Sequence, residues 1–170
     1  MRKAILTSLA IGAAVLFAAE ARAQAQAPAS APPPPPSYGE TINSETAKKA
    51  AAAAVAESKK NNWGMCVAVS GPSGDLVYFE RMDNCQFASI AISQHKAKAA
   101  ATFRRPTKAF ADAIAASPGN VALLTLDGII ASEGGIPIVI GGKIVGAIGC
   151  SGATGQQDGV ACQAGVNAVK

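Results

Sequence analysis

Two runs of mainly β-branched residues, 136–140 and 143–149, lie on either side of Gly141-Gly142 in "IPIVIGGKIVGAIG". Consecutive glycines permit the positive φ angles of a primed two-residue turn, so this segment predicts a β-hairpin. Beyond it, "CSGATGQQD" is rich in turn formers and places Thr154 three residues before Gln157. That is the spacing of a capping box, and it predicts that a terminal helix begins there. Gly141-Gly142 is needed for the turn, whereas Gly146 and Gly149 are predicted to let a neighbouring helix or subunit come close to the strand. Only residues 151–155 remain as a candidate anion cradle, because N–H groups are free at the start of a helix. Ser151 and Gly152 are therefore candidate binding residues, with a plain capped turn as the alternative.

The rest of the chain supplies what this hairpin must pack against. "INSETAKKAAAAAVAESKKNN" predicts a helix that Asn43 or Ser44 caps, that the alanine run favours and that Asn61-Asn62 ends. Residues 65–69 and 76–81 are strand-like and are separated by the turn formers Ser70-Gly71-Pro72-Ser73-Gly74-Asp75, which predicts a first hairpin. Helical spacing returns from Phe87 to about Phe103 and is broken at "RRPT". A shorter helix follows over residues 108–115 and ends at "SPGN". Residues 121–134 have no clean period and predict a loop with a short strand. This order of helix, hairpin, helices, hairpin and helix describes an α+β domain with an antiparallel sheet and helices packed on it.

The amino-terminal 40 residues have a different composition. "MRKAILTSLAIGAAVLFAAEARA" has two early cations, a short apolar run and the small-x-small triplet Ala21-Arg22-Ala23, which predict a secretory signal peptide over residues 1–23. The protein is accordingly expected to be exported, periplasmic or extracellular, with no membrane span after cleavage. Residues 24–40, "QAQAPASAPPPPPSYGE", read as a Pro/Ala-rich tether outside the fold. Residues 41–170 are left as one domain. Removing the signal leaves a net charge of +2, and no basic cluster denser than Arg104-Arg105 survives, so nucleic acid is not an expected partner. With aromatic residues at only 5%, the core must be built from Ala, Ile, Val and Leu. Each such side chain buries modest area, which favours further burial in a homo-oligomer. Cys66, Cys85, Cys150 and Cys162 in an exported chain predict disulfides and allow three pairings.

"RMDNCQFASIAISQHKAKAAATFRRPT" and "GGIPIVIGGKIVGAIGCSGATGQQD" together resemble the GlcG/HbpS-type haem-binding, or haem-degrading, family. The shared features are an Arg-Met-Asp turn, a K-A-x-x-A-x-x-F helix before Pro-Thr, Gly-Gly-x-Pro, and Gly-x-Ser-Gly-Ala before a final helix. The likeness runs from Ile42 onward. It implies a profilin-like sandwich, with an antiparallel sheet of about five strands, that assembles into oligomers. It also implies a haem-related role in capture, sensing or iron release. The chain departs from the family pattern at Asn84-Cys85, at Ser70-Gly71 and at Ala99, where relatives often carry a threonine.

Haem iron takes an axial donor such as His, Met, Cys or Tyr, with apolar walls for the macrocycle and cations for its propionates. His95, the one histidine, lies mid-helix beside Lys96 and Lys98 and is the favoured axial ligand; Met82 and Tyr78 are alternatives. Lys98, Arg104 and Arg105 are candidate propionate partners, although two arginines at a helix end also suit its dipole. Arg81 and Asp83 are expected to hold their turn. One histidine excludes a two-histidine metal site within a protomer, and no nucleophile-base-acid constellation is visible in the sequence. Haem breakdown would then rest on the iron and an external reductant or peroxide. Binding is preferred over catalysis, and the alternative is an oligomeric small-ligand or partner-binding module of the same fold that does not use haem.

Overall fold

In a computed structural model, which describes residues 33–170, a nine-residue strand of mainly small and β-branched side chains forms the spine of the sheet. The strands are β1 (Ser37–Tyr38), β2 (Cys66–Ser70), β3 (Leu76–Arg81), β4 (Gly135–Ile140) and β5 (Lys143–Ser151). β5 pairs antiparallel with β4 on one side and with β2 on the other, and β3 completes the β2 edge. The β4–β5 turn falls at Gly141-Gly142, with φ of 57° and 76°, as a primed turn requires.

The helices are α1 (Ser44–Lys60), α2 (Phe87–Thr102), α3 (Lys108–Ala116) and α4 (Gly155–Asn167). Asn43 caps α1 by accepting from Thr46 N at 2.8 Å, and Thr154 with Gln157 closes the expected capping box on α4. Strand alternation then sorts the sheet into two faces. Val67, Val69, Ile148 and Cys150 pack with Ala47, Ala50, Ala51 and Ala54 of α1 and with Ala161 and Val166 of α4. On the opposite face Ala147 meets Ala100 and Ala101 of α2. The result is a three-layer sandwich whose core is alanine, valine and isoleucine, in keeping with the low aromatic content.

Small residues let α2 lie directly on β5. A Cβ on Gly149 would collide with the backbone oxygen of Ser93 and the backbone nitrogen of Ala97, so the close approach predicted for this glycine is that of a helix. Disulfides join Cys66 to Cys85 and Cys150 to Cys162. The first ties β2 to the entry of α2 and the second ties β5 to α4, so each layer of helix is pinned to the sheet.

Two expectations need correction. Residues 37–38 were assigned to a tether outside the fold, yet they form β1, laid parallel to β5 through Ser37↔Lys143 and Tyr38↔Ile144. Gly39 N donates to Ile144 O at 2.8 Å, and the Tyr38 hydroxyl donates to Thr102 O at 2.7 Å. The end of β5 left uncovered by β2 offers free backbone groups, and the last residues of the Pro-rich stretch take them up. The short strand expected within 121–134 is also absent: Pro118–Thr125 is a 3-10 helix, tied back to α3 by the Asn120 side chain donating to Ala113 O at 2.8 Å. Proline at its first position starts such a turn readily, and among the described residues this segment pairs with no strand. The signal-peptide reading and the first part of the tether fall outside the described residues. Among the described residues no helix is long and apolar enough to cross a membrane.

Candidate ligand-binding site

His95, Lys98 and Thr102 stand three and four residues apart and therefore share one side of α2. That side looks toward the β2–β3 turn, and the space between is a cleft of about 510 Å³. Ser70, Gly74 and Leu76 line it from the turn, Gln94, His95 and Lys98 from the helix, and Asp127 from the segment after the 3-10 helix. The stem of Lys98 lies against Gly74, whose φ of +92° and missing side chain let the turn close over it. Among the described residues neither the His95 ring nor the Lys98 ammonium is paired with another side chain. Among the described residues the Ser70 hydroxyl is the one buried side-chain polar atom without a hydrogen-bond partner. An exposed imidazole, an exposed ammonium and the unpartnered Ser70 hydroxyl thus converge on one opening of mixed polar and apolar lining, which Asp75 and Asp127 also border, and its size suits a small organic ligand.

The other candidates lie elsewhere. Met82 borders a separate depression with Trp63 and Asn84, and both Met82 and Tyr78 pack against the core on the α1/α4 face of the sheet. Burial, helped by the Glu80 carboxylate, raises the Tyr78 phenol above its usual range, which works against the phenolate that iron would need. Arg104 stacks over the Tyr38 ring, 5.5 Å from its centre. Arg105 donates from Nε to Phe103 O at 3.2 Å and lies 5.8 Å from the centre of the Phe110 ring. Arg104 serves the docking of β1 and Arg105 the packing of α3 on the end of α2, and neither lines the cleft. Arg81 lies over Phe87, with its guanidinium 5.2 Å from the ring centre.

The glycine-rich segment before α4 is occupied by its own chain. The Ser151 hydroxyl shares a hydrogen bond of 2.9 Å with Ser89. A Cβ on Gly152 would strike the backbone of Gly64, so this glycine serves close packing. Asp158 accepts from Ala153 N at 3.1 Å and from the Gly152 backbone, Thr154 N donates to Gln157, and Gln157 N donates to Thr154. The anion at this helix start is Asp158.

Asp158 in turn pairs with Lys96, a residue to which the sequence reading gave no role. Lys96 Nζ sits 2.7 Å from Asp158 Oδ2 and 3.2 Å from Cys150 O, and both side chains are almost fully buried. Lys96 starts on α2 and Asp158 on α4, on opposite sides of the sheet. Lys96 passes between them at Gly134-Gly135, where a Cβ would strike Lys96 itself, Asp158 and Thr107. The Gly-Gly of the Gly-Gly-x-Pro motif is the gap through which a lysine links the two helix layers. Burial pushes the Asp158 carboxyl above the ordinary carboxylate range, against the pull of Lys96 and of the two backbone N–H groups. A signal for this was present: Ser89, Ser93, Lys96, Ala97 and Ala100 form one helical stripe, which places Lys96 on the face that the alanines bury.

The model for HbpS-like haem-degrading proteins matches residues 42–167. The chain belongs to the HbpS-like family. Protein GlcG of Escherichia coli K12 is 38% identical over 110 residues, spanning 65% of this chain and 81% of GlcG. A crystal structure of a Streptomyces reticuli HbpS double mutant superimposes with a TM-score of 0.71 at 29% identity, covering 86% of this chain and 99% of that one. A PduOC:haem complex shares the fold at a TM-score of 0.69 and 19% identity, over 76% of this chain and 96% of that one. The sandwich of HbpS-like proteins is therefore the architecture described above, with the Lys96 passage and the His95 cleft as features of this chain's own residues.

Proposed function

We propose that the protein is an exported haem-binding protein and that haem is held in the cleft beside His95. The observation that carries this reading is the convergence of an unpaired imidazole, an unpaired ammonium and an unpartnered hydroxyl on one opening of about 510 Å³. Within the lining, His95 is an axial nitrogen donor, Leu76 gives apolar contact and Lys98 suits a propionate, while Asp75 and Asp127 add carboxylates to the same cleft. Membership of a family named for haem degradation and a fold shared with a haem complex support the same assignment. Bound haem would supply redox-active iron. The chain's own residues bind and orient the ligand. Capture, sensing or iron release fits such a site better than protein-driven catalysis.

Titrating the protein with hemin should give a saturable Soret shift at a fixed stoichiometry. His95→Ala should lose the histidine-type spectrum and weaken binding at least about tenfold, the effect of losing one coordinate bond to the iron. An unchanged spectrum in that variant removes His95 as the ligand. A wild-type chain that leaves the hemin spectrum unshifted would instead be a small-ligand module on the same scaffold.

Export is supported by the signal-like residues 1–23 and by two disulfides, which persist in oxidising compartments. Assembly with further copies is supported by exposed Val121, Leu124 and Leu126 on the 3-10 segment. Native mass spectrometry of protein recovered from outside the cytoplasm should show chains that begin at Gln24, are four hydrogens lighter than the reduced form, and occur at a multiple of the protomer mass. Protein found only in the cytoplasm, with Met1 retained, would defeat the export assignment.

A further inference from the structure

Ser70 ends β2, where the pairing with β3 slips between Val69 and Ser70, and it is directly opposite Ala147 of β5. Paired residues of neighbouring strands point to the same face, and Ala147 faces α2. The Ser70 side chain is therefore directed to the α2 side, toward the cleft that it lines together with Ala97 and Lys98. It is only 2% exposed, and its Oγ finds no partner in the protein. A buried hydroxyl left unsatisfied is unfavourable, and folded chains rarely keep one without a use. Every other buried hydroxyl around α2 is satisfied: Ser89 with Ser151, Ser93 with Ile90 O, and Thr107 with Ser132 O.

We propose that Ser70 and Lys98 form a carboxylate-binding subsite at the inner end of the cleft, with the Ser70 hydroxyl donating to the ligand and fixing which end of it enters. This rests on the cleft described above and names the ligand group it selects. A carboxylate suits the pair because it accepts from a hydroxyl and is drawn to an ammonium, and hydrogen bonds to a charged acceptor are the strong ones. A planar ligand bearing a carboxylate would enter that end first, leaving its body against Leu76 and its far side toward His95. A neutral ligand of the same shape would leave Ser70 unsatisfied and bind more weakly.

The test uses Ser70→Ala in the full chain, with benzoate as an iron-free aromatic carboxylate followed by amide NMR. The wild type should show saturable shifts at Ser70, Gly71 and Lys98, and in the variant the midpoint should rise about tenfold or the shifts should vanish. Absence of saturable shifts at those amides, or equal midpoints in the two proteins, overturns the proposal. The variant's melting temperature separates this role from a structural one. Losing a hydroxyl that has no partner should leave the ligand-free protein as stable or more so, and a clear drop would show that Ser70 is satisfied in the fold and overturn the subsite. Hemin and its dimethyl ester identify the source of the carboxylate. Tighter binding of hemin than of its ester, with the difference lost in Ser70→Ala, assigns the subsite to a porphyrin propionate. Benzoate binding through Ser70 in a chain that leaves hemin unbound keeps the subsite and discards haem as its ligand.

Discussion

Lys96→Ala should lower stability by about 3–5 kcal/mol, because removing one member of a buried ion pair leaves the other charged and unsolvated. Asp158 would lose its countercharge, and α2 and α4 would lose the ion pair that links them through the sheet. For a domain of this size, the melting temperature should fall by at least 10 °C, roughly. Replacing both members, as in Lys96→Met with Asp158→Leu, should recover most or all of that loss. Burial outweighs attraction in setting the Asp158 carboxyl, so the pair is held against a desolvation penalty that apolar side chains would not carry. The pH dependence checks that balance. The folded carboxyl titrates above its unfolded value, so its contribution to stability is present below the unfolded pKa and is lost as pH rises through the folded one. The stability of the wild type relative to the double replacement should accordingly rise as pH falls from about 7 to 4. A relative stability that falls on acidification would mean that Lys96, not burial, governs the carboxyl. A double replacement as unstable as Lys96→Ala would mean that the lysine stem and the Cys150 carbonyl contact matter more than the charges.

The elements themselves were legible because local signals and burial agree. The Gly141-Gly142 turn, the Asn43 cap, the Thr154/Gln157 box and the breaks at "RRPT" and "SPGN" all fall where the sequence puts them. β1 was not legible, since a strand of two residues in a proline-rich run has no periodicity and forms only because β5 extends past β2. The 3-10 segment misled because Val121, Leu123, Leu124 and Leu126 look like core, yet Val121, Leu124 and Leu126 are exposed in the protomer. At the site, spacing along one helix was enough to join His95 with Lys98. It could not separate them from Arg104 and Arg105, whose direction changes once α2 ends and Arg104 takes a φ of +55°. Lys96 and Asp158 are 62 residues apart and meet only because two glycines leave a gap in the edge of the sheet. Ser70 was read as a turn former, and its importance lies in a missing partner that no sequence pattern can display.

Gly149→Val should be more damaging than its position in a strand suggests. Valine is the better strand former, and at an exposed place on the same strand, Lys143→Val, the change should alter stability by less than about 0.5 kcal/mol. At residue 149 the new Cβ meets Ser93 O and Ala97 N, which are backbone atoms of α2 that no rotamer change can move. The helix must lift or the strand must twist away, and both are pinned, the helix entry by Cys66–Cys85 and the strand by Cys150–Cys162. Overpacking of this kind costs about 3 kcal/mol or more when backbone cannot yield. Urea unfolding should show a lower midpoint, with an unchanged slope if the chain still folds as one unit. The displacement would be transmitted to the cleft, because Ala97 lines it and lies one turn from Ser93 on the same face of α2. Any Gly149→Val protein that does fold should therefore bind hemin less well with His95, Lys98 and Ser70 all intact. Full binding in a destabilised variant would show that α2 can lift from β5 without opening the site, and would separate the seat of the helix from the shape of the cleft.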